Sequence, residues 1–176
     1  MNALYHTIEV LYLNNLLLLL LFCPIDLICV QRNEQFMEFN ELTAISAVDG
    51  RYRKYCENLA AYFSEYALMK YRTLIEVEYF IFLSEKKMFS ISAGTKKILR
   101  NAITNFSIDD AMAIKEIEKT TNHDVKAVEY FCKKILDEST DAGKKEWIHF
   151  GLTSQDINNT AIPLSWKACI VNEFLP

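Results

Sequence analysis

The chain has 176 residues and a net charge of −4, enough length for one globular domain or a domain plus part of a second. The acidic balance leaves no basic footprint for nucleic acid, and 4 glycines and 3 prolines are too few turn residues for an all-β protein. An all-α fold is therefore expected, and the scattered cysteines Cys23, Cys29, Cys56, Cys132 and Cys169, with no CxxC among them, read as reduced thiols of a cytoplasmic protein.

Taken in chain order, the first feature is the apolar run Leu16 to Cys23. A secretory signal wants basic residues before such a run, and the first Lys or Arg is Arg32. A membrane span wants about 20 apolar residues, whereas Asn14 and Asn15 precede this run and Pro24 and Asp26 follow it. Composition changes near Met37, so residues 1–36 read as a hydrophobic extension and Met37 as the working start. A membrane anchor using Leu11 to Val30 stays open as a minor alternative.

Residues 37–55 read as an extended arm in which Asp49-Gly50 makes a turn before Arg51, Tyr52, Arg53 and Lys54. That basic turn is either solvated or an anion clasp. A long helix is predicted over 56–86, with Leu59, Phe63, Tyr66, Met69, Leu74, Val77 and Ile81 as its stripe. Tyr79, Phe80 and Phe82 widen the stripe, so cover on more than one side is expected. A shorter helix follows over 94–103, and another from a Ser107 cap to about Lys119.

Glu118 to Phe131, EKTTNHDVKAVEYF, crowds Thr120, Thr121, Asn122, His123 and Asp124 in front of a helix. That helix has Val125, Val128, Cys132, Ile135 and Leu136 on one face and Lys126, Glu129, Lys133 and Lys134 on the other. Thr153 and Asp156 have capping-box spacing, so Thr153 and Ser154 stand at a second helix entrance. Pro163 predicts a kink in that last helix. Unpaired N–H groups and the helix dipole make such entrances suited to anions, with plain capping as the simpler alternative. His123 can donate to an anion or move a proton near neutral pH. His6, His123 and His149 have no metal-site spacing. A glycine-rich phosphate loop and a GxSxG elbow are absent, which removes dinucleotide and serine-hydrolase readings.

The segments SAVDGRY, FSEYALMKYR, IEKTTNHDVKAVEYF and IHFGLTSQDINN, in this order, resemble the N-terminal part of the adenylosuccinate lyases, in the fumarase/aspartase superfamily. The resemblance runs from about Leu42 to at least Asn159. It implies an N-terminal helical lyase domain over 37–150 and the start of the central helical bundle over 151–176. It also implies a homotetramer that uses no metal or organic cofactor. The implied reaction is β-elimination of fumarate from adenylosuccinate, giving AMP, and from the succinyl-carboxamide ribotide (SAICAR to AICAR), both in purine biosynthesis.

The resemblance assigns Arg51 and Tyr52 to the nucleotide, at its phosphate. It assigns Asn122, His123 and Asp124 to substrate binding and Thr153 and Ser154 to the succinyl portion. The family's catalytic histidine and serine lie in later THGQ-like and SSAMP-like segments that residues 1–176 do not contain. The expectation is therefore that these residues alone have no lyase activity. A non-catalytic helical module that binds intact lyase subunits remains as the alternative, and whether these residues form the family's tetramer is left open.

Overall fold

The computed structural model describes residues 38–46 and 49–175, which belong to a compact unit running from Phe36 to Pro176. The apolar run Leu16 to Cys23 lies outside the described residues. Among those described, ordered structure is helical, and no helix is long and apolar enough to cross a membrane.

The arm at 38–46 is closed by side-chain hydrogen bonds. Asp49 accepts from the backbone N–H of Ile45 at 2.5 Å and of Ser46 at 2.6 Å. Arg53 reaches back to the same carboxylate at 2.5 Å and to the Thr43 carbonyl at 3.0 Å. One charged residue of the basic turn is thus a structural lock. The Ser46 N–H is the main reason the Asp49 carboxyl sits below its usual range, with Arg53 and the Ile45 N–H adding to it against the effect of burial.

Three short turns follow at Arg53–Cys56, Glu57–Leu59 and Ala60–Phe63. The long helix α1 spans Glu65–Glu85 and begins nine residues later than the apolar stripe predicts. Ser64 is the reason: its hydroxyl accepts the Ala67 N–H and its backbone is extended, so the helix restarts there. Tyr66, Met69, Tyr71, Ile75, Val77, Phe80 and Ile81 are all buried. The expected cover on several sides is present.

Four helices surround α1. Helix α2 (Ala93–Thr104) is capped by Ser92, and α3 (Ile108–Thr121) by a Ser107–Asp110 capping box. Helix α4 spans Asp124–Asp137 and α5 spans Ser154–Cys169. One apolar cluster joins Phe80, Leu99, Ile114, Val128 and Leu136 across α1 to α4. A second joins Tyr71 and Ile75 of α1 to Val125 of α4 and Ile157 and Ala161 of α5. This second cluster holds the starts of α4 and α5 against the same stretch of α1.

Two local expectations change. Helix α5 runs through Pro163 unbroken, and its irregularity comes later, as a π-helical turn over Ile170–Phe174. Pro163 and Asn159, four residues earlier, are both exposed, so water can satisfy the carbonyl that proline leaves without a donor. Glu129, placed on the polar face of α4 by its spacing, is buried at 3% exposure. Lys126 at 2.7 Å and Lys133 at 3.1 Å fold over it and neutralise it.

Candidate functional site

The crowded stretch 120–124 is a joint between two helices, which corrects its reading as a single helix entrance. Thr120 and Thr121 end α3: Thr120 Oγ1 donates to the Ile117 carbonyl at 2.8 Å, and Thr121 Oγ1 lies 3.5 Å from the Glu118 carbonyl and 3.1 Å from the His123 carbonyl, bridging α3 to the cap of α4. Asn122 then turns the chain with φ 49°, a left-handed conformation that asparagine tolerates better than most residues. Only His123 and Asp124 open α4.

His123 is the cap. Its Nδ1 accepts the Lys126 N–H at 3.1 Å. A ring nitrogen that accepts carries no proton, so the neutral imidazole holds its proton on Nε2. Nε2 lies 3.3 Å from Ser154 Oγ, the first residue of α5. The two helix starts therefore meet through one side-chain contact.

At the second start Thr153 and Asp156 cap one another: Asp156 Oδ2 accepts the Thr153 N–H at 2.7 Å, and Thr153 Oγ1 accepts the Asp156 N–H at 3.4 Å. This leaves the N–H groups of Ser154 and Gln155 without an acceptor among the described residues. They lie at the positive end of α5, where an anion is favoured by roughly 0.3–1 kcal/mol at an exposed site.

Arg72 fixes this arrangement from α1. It is buried, its Nη2 pairs with Asp124 at 2.8 Å, and its Nε donates to Asn158 Oδ1 at 2.9 Å. One guanidinium thus ties α1 to both converging helices. Burial alone would raise the Asp124 carboxyl; the Val125 N–H and Arg72 outweigh it and hold it below the usual carboxylate range. Pairing also cancels much of the negative charge that would repel an anion here. A cleft of about 640 Å³ opens beside these groups, lined by Arg72, Glu118, Asn122, His123, Asp124, Ser165 and Trp166 among others.

The structure brings Asn122, His123, Asp124, Thr153 and Ser154 into one neighbourhood. Arg51 and Tyr52 are not joined to it by any hydrogen bond or ion pair among the described residues. Arg51 lies 5.5 Å over the ring of Tyr52, which is exposed. Arg72 and Asn158 were missed by motif reading. Their signal was present for Arg72: it occupies the spacing Met69, Arg72, Glu76, Phe80, Leu83, a buried line of α1 in which two positions are charged. Among the described residues no group of His, Cys, Asp and Glu is arranged to hold a metal.

A family model described as a lyase matches residues 44–176, which include every residue of this neighbourhood. The chain belongs to this lyase family. An adenylosuccinate lyase of Dictyostelium discoideum is 50% identical over 147 residues, covering 80% of this chain and 32% of that protein. Adenylosuccinate lyases of Vibrio cholerae and Escherichia coli K12 are 43% and 42% identical over 145 residues, with the same shares covered. The chain thus spans about a third of the length of these lyase relatives.

Proposed function

We propose that this chain supplies one wall of a carbon–nitrogen lyase that eliminates fumarate from a succinyl nucleotide. The substrates would be adenylosuccinate, giving AMP, and SAICAR, giving AICAR, in a cytoplasmic homotetramer. The observation that carries the reading is the 3.3 Å contact between His123 Nε2 and Ser154 Oγ, which draws two helix starts together.

In this reading a succinyl carboxylate takes the place of that contact. It accepts hydrogen bonds from His123 Nε2–H, the Ser154 hydroxyl and the spare N–H groups of Ser154 and Gln155. Asn122 and Thr153 frame it. Charge builds on a carboxylate during β-elimination, so donors already in position stabilise the transition state. His123 positions substrate; its cap on α4 occupies the nitrogen that a general base would need. What supports a phosphate role for Arg51 and Tyr52 is the resemblance alone. The division at 150/151 between an N-terminal domain and a central bundle belongs to the same proposal. The groups that remove and donate protons are assigned to segments outside residues 1–176.

The test uses the complete lyase that contains these residues. H123Q and S154A should each lower kcat/KM about 10- to 100-fold, the loss of a hydrogen bond to a charged group, with helical circular dichroism unchanged. Wild-type kcat/KM in both variants would refute the reading. Residues 1–176 alone should release no fumarate.

One feature favours the interaction reading. Ile162, Trp166, Ile170 and Val171 form an exposed apolar strip on α5 and its π turn. Co-purification with intact lyase subunits, abolished by W166E, would support it.

A further inference from the structure

Glu76 has no part in the site as described, yet it is the most thoroughly buried charged residue of α1, with 0% exposure. Its Oε1 lies 2.5 Å from His149 Nδ1, while its Oε2 has no partner among the described residues. A carboxylate removed from water is costly unless it is paired. His149 is that pair, and it sits in an unusual place. Its φ is 61°, a left-handed conformation that costs a side-chain-bearing residue roughly 1–2 kcal/mol. Gly151, two residues on, has φ 72°. Thr153, the cap of α5, follows directly after Leu152.

The turn between α4 and α5 is therefore held from α1 at two points. Glu76 grips the His149 ring, and Tyr79 Oη donates to the Phe150 carbonyl at 3.1 Å. Trp147 stacks on Phe89 with ring centres 4.9 Å apart and closes the same turn on its apolar side.

We propose that Glu76 is a positioning residue: through its hydrogen bond to His149 it fixes the turn that delivers Thr153 and Ser154 to His123. The protonation state of the Glu76–His149 pair then sets how firmly the second helix start is held. For its consequence in catalysis this rests on the reading of the two helix starts as one anion site; the coupling itself does not.

The charges facing the pair are few. Glu129 and Lys126 of α4 act on His149, and Glu129 acts on Glu76. Lys133 neutralises Glu129 at 3.1 Å, and the Cys132 thiol, pushed well up by burial, is uncharged. Burial raises the Glu76 carboxyl, and the His149 ring pulls it back. The Glu76 hydrogen bond raises the imidazole above its ordinary 6.5 against the effect of burial. The sign follows: His149's contribution is complete below pH 6.5 and is lost as pH rises through its raised value.

The test is a pH titration of the 15N-labelled chain by NMR, without ligand, in wild type, E76Q and H149N. The ring of His149 should titrate above 6.5 in wild type, and the amides of Ser154 and Gln155 should inflect at the same midpoint. E76Q should lower the His149 midpoint, because the Glu76 hydrogen bond is the main cause of its rise, and remove the amide inflection. H149N, in which asparagine suits the positive φ, should also remove it. The capping-box amides of Ser107 and Asp110 serve as the unmoved reference. An inflection that persists in H149N, or Ser154 and Gln155 amides indifferent to the His149 midpoint, overturns the proposal. H149N decides the question even if E76Q fails to fold. Failure of a succinyl nucleotide to bind would sink the functional reading and leave this result untouched.

Discussion

Replacing Arg72 by methionine tests whether one guanidinium holds the site together. The side chain is nearly out of water and makes two directed contacts, 2.8 Å to Asp124 and 2.9 Å to Asn158. Asp124 has 49% side-chain exposure, so water recovers part of what it loses, and its share is discounted to about 1 kcal/mol. The Asn158 bond adds about 1 kcal/mol. Met preserves the apolar stem and adapts to irregular space, so R72M should cost about 2 kcal/mol in total. Alanine also removes the buried stem methylenes, worth about 0.8 kcal/mol each, so R72A should cost about 4 kcal/mol. Urea unfolding followed by circular dichroism measures both. Acid provides a second readout. Asp124 titrates below its usual range when folded, so its contribution is present above about pH 4 and fades as pH falls through the lowered value. The gap between wild type and R72M should narrow there, down to the Asn158 share. An R72M variant within about 0.5 kcal/mol of wild type, or a gap that does not depend on acid, would refute the reasoning.

Asn122 separates backbone from chemistry: N122G should keep stability and N122A should lose about 1 kcal/mol, since Asn122 holds a left-handed φ of 49°; equal losses in urea unfolding would contradict this. T153A removes one side of a reciprocal cap and should cost about 1 kcal/mol in the same assay. Gly94 lies inside α2, and an added Cβ would meet only Ser92 Oγ at 3.6 Å. G94A should therefore raise stability by about 0.5–1 kcal/mol, read as a higher urea midpoint.

Local signals in the sequence were sufficient where the physics is local. Ser107 with Asp110 and Thr153 with Asp156 satisfy each other across three residues, so both helix starts follow from spacing alone. The start of α1 was not legible. Ser64 stops one helical turn and caps the next among apolar residues that carry the same stripe through both. The role of Thr120 and Thr121 was ambiguous, because a short polar side chain bonds a helix end or a helix start equally well. Their contacts with the Ile117 and Glu118 carbonyls place them at the end of α3. Arg72 and Glu76 depend on partners 52 and 73 positions away in the chain, at Asp124 and His149. No spacing rule reaches that far. Glu129 shows the opposite error: a charge on a polar face that two lysines cover and bury.

The central claim is that two helix starts form one anion site. Titrating adenylosuccinate into the 15N-labelled chain addresses it most directly. The account predicts that the amides of Asp124, Ser154 and Gln155 shift along a single saturating curve, and that S154A weakens both sets together. Curves that saturate separately, or shifts confined to one helix start, would contradict it.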